Sequence, residues 1–341
     1  MISNSLVQAA SHRINAAYRI LVVSHIRPDG DSIGSMLGLG LSLQEAGKEV
    51  QFVSADGVPT SFRHLIGSEQ IRYQPEGEFD LICFVDCSDL ERAGQAMSGY
   101  PRPDLNIDHH VTNLDFAEIN LVDIEAVATA EIIADLLSAI GLPITEPVAS
   151  SLMTGLITDT LGFRTSNMTP KALRLAADLM EEGANLPELY RKALVDRSFE
   201  AARYWGAGLS KLERDGRLVW TTLTRNDREK AGYSGRDDAD LINILASIKD
   251  ANVALIFVEQ PNESVKVSWR AQPGIDVSPI AVSFGGGGHP AASGAEIPGD
   301  LEDVKTSVLN ATRGWLMRNG LQRDELESVQ KTLEWEEEEN G

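Results

Sequence analysis

Apolar runs and mixed periodic stretches alternate along the first half of the chain. Ile20 to Ser24, Glu49 to Ser54, Phe79 to Asp86 and Leu105 to Asp108 read as strands. Between and after them, Ser32 to Ala46, Ala126 to Ile140 and Glu146 to Thr158 have helical periodicity. Gly47 and Gly141 are plausible helix stops, and Pro147 suits a first helical turn. Met1 to Ala17 is amphipathic, carries His12 and Arg13, lacks the apolar centre of a signal peptide and reads as a helix. Strands alternating with helices predict a parallel sheet covered by helices.

From Leu186 to Leu212 the pattern is helical and charged. Strands then return over Arg217 to Leu223, Asn252 to Glu259 and Ser264 to Arg270. Helices are expected over Ala239 to Ile248, Val277 to Phe284 and Leu301 to Asn319. The reading is α/β in two domains: a catalytic domain over 1–186, a helical linker over 187–215, a smaller mixed domain over 216–320 and an acidic tail over 321–341. A cleft between the domains is expected. The 341 residues suffice for two cores.

Composition narrows the function. The net charge of −21 opposes binding of a long nucleic acid duplex through its phosphates, but not of a short phosphate ester whose charge is met locally. Glu334 and Glu336 to Glu339 make an acidic block that reads as solvated. No apolar run is long enough to span a membrane, so a cytoplasmic protein without a membrane partner is expected. Cys83 and Cys87 lie in one apolar strand, too few for a zinc site and badly placed for a disulfide.

The chemistry sits where the apolar runs end. His25-Ile26-Arg27-Pro28-Asp29-Gly30-Asp31-Ser32-Ile33-Gly34 follows the first strand, on a turn tightened by Pro28 and Gly30. Open α/β sheets bind ligands at such strand ends. Asp86 ends another strand; a carboxylate there is a metal ligand or equally the N-cap of the next helix. Asp108-His109-His110 ends a short strand, with Asn113 one turn further on. Asp159 closes an apolar helix, where the helix dipole disfavours an acid and something cationic should offset it. His25, Asp29, Asp31, Asp86, His109 and Asp159 form a plausible two-metal set with one bridging carboxylate, the ions roughly 3.5–4 Å apart. Mixed nitrogen and oxygen ligands favour two Mn²⁺, with Mg²⁺ or Co²⁺ as substitutes. In the second domain Gly285-Gly286-Gly287-Gly288-His289 can present backbone amides to a phosphate, and Arg270 is a second candidate contact for phosphate or base.

These motifs, in this order, resemble the DHH phosphoesterases, the name being the motif that here reads Asp108-His109-His110. The resemblance spans about residues 15 to 318. The segment from Gly285 to Gly294 resembles the associated C-terminal domain of the nuclease branch, and the length resembles the small bacterial oligoribonuclease and pAp phosphatase group (nanoRNases).

The resemblance implies that His25, Asp29 and Asp86 hold one Mn²⁺, and that Asp31, Asp86, His109 and Asp159 hold the other. Asp108 would orient a histidine, and His110 would contact the scissile phosphate or assist the leaving group. Gly286, Gly287, Gly288, His289 and Arg270 would bind the far phosphate or base. The chain departs from the family where Leu161 precedes Gly162, since Gly often follows directly there. The implied activity is hydrolysis of short oligoribonucleotides or 3′-phosphoadenosine 5′-phosphate (pAp) by two-metal water activation, in a possible homodimer. Alternatives are a cyclic or linear dinucleotide phosphodiesterase (c-di-AMP, pApA, pGpG), an exopolyphosphatase, a pyrophosphatase and, in another class, a non-catalytic nucleotide-binding sensor.

Overall fold

A computed structural model describes residues 2–321 of the chain. The acidic block at Glu334 and Glu336 to Glu339 lies outside the described residues. The chain divides into two compact units between Asp196 and Arg197.

In the first unit, α1 (Asn4–Ala16), β1 (Arg19–Val23), α2 (Gly30–Glu45), β2 (Glu49–Val53), β3 (Leu81–Val85), β4 (Leu105–Asp108) and β5 (Ile119–Val122) come in order. α3 (Thr129–Ile140), α4 (Glu146–Asp159), α5 (Pro170–Glu181) and α6 (Leu186–Tyr190) follow. The strands form a five-stranded sheet in the order β2-β1-β3-β4-β5, parallel throughout. Both faces are covered, which is why β1 and β3 are apolar without alternation. Ile20, Val22, Leu81, Cys83 and Val85 enter the main helical core. Leu21, Val23, Ile82 and Phe84 point to a smaller cluster containing Ala93, Ala96 and Met97. Those three belong to a 3₁₀ segment, Leu90–Met97, kinked at Gly94.

α2 is buried from Gly30 to Leu43 and packs closely on α4. A Cβ on Gly34 would stand 2.4 Å from the Ser151 carbonyl oxygen, so this crossing admits no side chain there. The close approach brings the start of α2 and the end of α4 to the same place.

The second unit opens with α7 (Phe199–Leu209) and then β6 (Glu213–Asp215), β7 (Leu218–Leu223), α8 (Arg225–Ala231), α9 (Leu241–Leu245), β8 (Val253–Glu259) and β9 (Ser264–Ala271). It closes with α10 (Ser278–Ser283), β10 (Gly287–His289), β11 (Ala292–Pro298) and α11 (Leu301–Arg318). Its sheet is mixed, in the order β10-β11-β9-β8-β7-β6, with β7 and β8 the parallel pair. Trp269, Phe257 and Val267 fill one core with α11, and Tyr204, Leu223 and Ile256 another.

The segment read as a helical linker over 187–215 is divided instead. Leu189 and Ala193 pack in the first unit's core, across α6 and a π-helical turn at Arg191–Val195. Ala201 and Tyr204 of α7 pack in the second unit's core. Its charged face made it look like a free connector, but each half carries enough apolar surface to join its own core. Among the described residues no helix is long and apolar enough to cross a membrane.

Candidate active site

Four chain segments meet at the C-terminal edge of the parallel sheet. The loop after β1 brings His25 and leads into α2. Asp29 is that helix's N-cap: its carboxylate accepts the amides of Asp31 at 3.1 Å and Ser32 at 3.0 Å. Asp31 lies inside the first turn and is 1% exposed. Asp86 follows β3 in the left-handed region, φ +59°, anchored by its amide to the Ile107 carbonyl at 2.9 Å. The expectation that Asp86 could cap a helix is met by Asp89 instead, whose side chain accepts the Arg92 amide. Asp159 ends α4, with His109 Nε2 3.4 Å from its Oδ2.

Both histidines of the expected ligand set are held by Nδ1. His25 Nδ1 meets the Ile26 carbonyl at 2.7 Å, and His109 Nδ1 the Ala126 carbonyl at 3.3 Å. A donor on Nδ1 leaves Nε2 as the coordinating atom. His25 Nε2 lies 3.3 Å from Asp86 Oδ2 and 4.0 Å from Asp29 Oδ1. His109 Nε2 lies 3.9 Å from both Asp31 Oδ2 and Asp86 Oδ1. His110 differs: its Nδ1 pairs with Asp108 Oδ1 at 2.6 Å and stands 3.6 Å from Asp86 Oδ1. Asn113 donates to the other oxygen of Asp108 at 2.6 Å, fixing the carboxylate that orients His110.

Three groups of potential metal-binding residues result, each with ligand atoms within 4.8 Å of one another: His25, Asp29, Asp86; Asp31, His109, Asp159; and Asp86, His109, His110. Asp86 touches all of them directly or through His109. Six residues read as ligands from the sequence therefore converge, with His110 and Asp108 beside them.

The electrostatics are those of a crowded acidic site. Burial, with the Asp86 charge next, pushes the Asp31 carboxyl up to about 7. Burial and the charges of Asp31, Asp29 and Asp86 hold Asp159 well above the usual range. Burial opposes ionisation of Asp86 as well, but the His25 hydrogen bond and three imidazoles outweigh it and hold that carboxyl low. Burial also opposes protonation of His110, yet the Asp108 hydrogen bond and nearby carboxylates raise it to about 9. Four carboxylates and two Nε2 atoms facing one another have the hard-oxygen and imidazole character that suits divalent first-row ions. Backbone amides and the hydroxyls of Ser35 and Thr129 donate to these carboxylates, and cations would relieve the remaining repulsion directly. The residues present fit a pair of divalent metals.

Sequence reasoning missed the donors behind these ligands. Thr129, Ala130 and Ser35 all hydrogen-bond the carboxylates. The signal available was only a run of small residues, Ala126 to Ala130, opening a helix.

In the second unit the glycine segment is not an open loop. The amides of Gly285 and Gly286 bond to Val282 and Ala281 carbonyls, closing α10, and Gly287–His289 is a strand paired antiparallel with β11. A Cβ on Gly286 would lie 2.1 Å from the Gly294 carbonyl oxygen, and one on Gly288, at φ +137°, 2.5 Å from that of Ala292. Close strand approach demands these two glycines, and two of the four glycine amides, those of Gly285 and Gly286, serve the helix end. The pairing brings other candidates together. His289 faces Ala292 on β11, and Ala292 faces Arg270 on β9. Directly opposed residues share a face, so His289 and Arg270 flank a small alanine about 10 Å apart. Burial draws the Arg270 guanidinium below its usual value, against the charges of Asp238 and Asp240.

A covered parallel sheet with this His/Asp cluster at its strand ends defines the class: a two-unit α/β enzyme shaped to hold divalent metal. The chain belongs to the DHH family. Residues 19–156 match the DHH family, N-terminal domain, and residues 212–317 match the DHHA1 domain. Family membership makes it a phosphoric ester hydrolase. It is 35% identical to a bifunctional oligoribonuclease and PAP phosphatase NrnA of Thermus thermophilus, over 88% of this chain and 91% of that one. The protein of the same description from Bacillus subtilis is 26% identical over 82% of this chain and 89% of that one. Among solved structures, an exopolyphosphatase-related protein from Bacteroides fragilis superimposes with a TM-score of 0.85 at 26% identity, covering 93% of this chain and 97% of that one.

Proposed function

We propose that this chain is a Mn²⁺-dependent cytoplasmic phosphoesterase acting on short oligoribonucleotides and on pAp. The observation that carries the reading is the pair of ligand groups His25/Asp29/Asp86 and Asp31/His109/Asp159, linked through Asp86. The relatives named oligoribonuclease and PAP phosphatase support the substrate class.

His25, Asp29 and Asp86 would hold one ion, and Asp31, Asp86, His109 and Asp159 the other. When bound, such a pair lowers the pKa of water and neutralises charge on both attacking and leaving oxygens. The chain's own contribution is placement. His25 and His109 are locked by Nδ1 to backbone carbonyls, so their Nε2 atoms are preoriented. His110, steadied by Asp108, would contact the scissile phosphate or the leaving oxygen. The second unit would recognise the nucleotide through His289, Arg270 and the Gly286 to Gly288 strand.

A panel of pAp, 5′-labelled short RNAs, pGpG, c-di-AMP, polyphosphate and pyrophosphate, assayed with Mn²⁺ and after chelation, tests the reading. Turnover of pAp and of RNAs a few nucleotides long, abolished by chelation and by Asp86→Ala, is expected. Phosphate release from polyphosphate and pyrophosphate alone would overturn the substrate class. Undiminished Mn²⁺-dependent activity in Asp86→Ala would overturn the metal assignment.

A further inference from the structure

α3 begins without a side-chain cap of its own. Its N-cap is Ala128, and its leading amides turn onto a carboxylate from another element. Thr129 N donates to Asp31 Oδ2 at 2.7 Å, and Ala130 N to Asp31 Oδ1 at 3.0 Å. Free amides at a helix start favour an anion, and Asp31 supplies it. The Thr129 hydroxyl makes a second connection: Oγ1 donates to Asp86 Oδ1 at 2.9 Å. Thr129 is fully buried. One residue thus holds carboxylates that arrive from the ends of two different strands, one from each ligand group.

Asp86 needs such a hold. Its Oδ1 lies within 3.9 Å of His109 Nε2 and 3.6 Å of His110 Nδ1, while Oδ2 faces His25. A carboxylate among three imidazoles has several orientations of similar energy, and its terminal torsion is soft. A hydroxyl on one lone pair of Oδ1 leaves the other lone pair for a metal and selects one orientation. Thr129 is fully buried, with its hydroxyl committed to Asp86.

We infer that Thr129 is a positioning residue: its hydroxyl orients the Asp86 carboxylate, and its amide ties that orientation to Asp31. It would thereby influence how two bound ions are held. The inference rests on the dinuclear reading above.

The test compares Thr129→Val, which keeps the shape and removes the donor, with Thr129→Ser, which keeps the donor. Metal-free proteins are titrated with Mn²⁺ by calorimetry, and the manganese–manganese coupling is read by electron paramagnetic resonance. Wild type should bind two ions with a coupled signal. Thr129→Val should bind Mn²⁺ about 10–100-fold more weakly and lose or shift the coupling, as expected on removing a partner that orients a ligand. Thr129→Ser should restore both to within a few-fold. Wild-type affinity and coupling in Thr129→Val would overturn the inference. So would equal defects in both variants, because Thr129→Ser keeps the hydroxyl. Should Thr129→Val fail to fold, near-wild-type affinity and coupling in Thr129→Ser against a weakened Thr129→Ala decides in favour, and equal weakening of the two decides against. A single uncoupled ion in wild type would remove the dinuclear reading itself, and the inference with it.

Discussion

Gly155 lies in the middle of α4, where helix, ligand and neighbouring helix leave no space. A Cβ there would stand 2.7 Å from Asp31 Oδ1, 2.7 Å from the Cβ of Ala130 and 3.5 Å from Asp31 Cα. Carbon contacts are comfortable near 3.5–4.0 Å, so Gly155→Ala intrudes by about 1 Å on both. Overpacking of this kind costs about 1–3 kcal/mol, and the better helix propensity of alanine returns about 1 kcal/mol. The net destabilisation should be about 1 kcal/mol, or about 2–4 °C in melting temperature for a unit of this size.

The effect on catalysis should be larger. Asp31 is tied by both oxygens, so relief comes by moving the carboxylate or α3. A displacement near 1 Å at such a group costs on the order of 100-fold in rate. The expected signature is therefore a small loss of stability with a large loss of turnover and of Mn²⁺ affinity. Gly206→Ala is the control: Gly206 sits exposed on α7 with nothing within 4 Å of its would-be Cβ. It should gain about 0.4–1 kcal/mol and keep full activity. Calorimetric melting, Mn²⁺ titration and steady-state rates on pAp separate the cases. Gly155→Ala with wild-type affinity and rate would refute the claim that packing against α4 holds Asp31 in place.

Leu161 adopts φ +48°, a conformation that suits glycine, so Leu161→Gly should stabilise the first unit by up to about 1 kcal/mol in urea unfolding despite losing a partly exposed side chain. A less stable variant would show that leucine packing dominates there. Gly286→Ala should force β10 off β11, destabilise the second unit by about 1–3 kcal/mol and raise KM for pAp, while Mn²⁺ stoichiometry stays at wild type. Unchanged KM would remove this strand from substrate recognition. Burial opposes ionisation of Asp227, but Lys211 and the Thr224 cap outweigh it and lower its pKa. Its stabilisation is therefore present above the ordinary aspartate value and lost as pH falls through the lower folded one. Asp227→Asn should cost about 1 kcal/mol at pH 7, a difference that narrows as pH falls below about 3.9; a gap that widened on acidification would contradict the sign.

Much of the first unit was legible because buried parallel strands announce themselves as apolar runs, and polar residues immediately after them are conspicuous. His25, Asp86 and His109 all follow such runs. β5 escaped notice because its four residues, Ile119 to Val122, include Asn120 and only Leu121 is fully buried. α5 escaped because its inward stripe is Ala172, Ala176 and Leu179, too thin to stand out from polar surroundings. In the second unit β10 escaped notice because glycine carries no strand propensity; its place is decided by the backbone of β11 beside it. The donors that hold the carboxylates were illegible for a related reason. An amide at Thr129 or Ala130 is the same in every residue, so no letter of the sequence marks it.

Three of the four ligand-bearing loops contain a non-glycine residue in the left-handed region: Arg27 at φ +55°, Asp86 at +59°, and Leu161 and Phe163 at +48° and +65°. Each such residue stores on the order of 1–3 kcal/mol and persists only where the surroundings over-determine it. The surroundings do so here, through Arg27 N on Asp56 at 2.6 Å, Asp86 N on Ile107 at 2.9 Å and Arg164 N on Thr160 at 2.8 Å. The same loops carry four carboxylates, and burial together with their mutual repulsion raises the pKa of Asp31 and Asp159. Backbone strain and charge repulsion therefore coincide at one sheet edge, both carried by contacts outside it. Divalent ions bound between Asp31, Asp86 and Asp159 would remove the repulsion but leave the backbone geometry as it is. A site preformed in this way meets its ligands without rearrangement, and ion binding at 100 times the dissociation constant would add about 2.7 kcal/mol to the stability of the first unit.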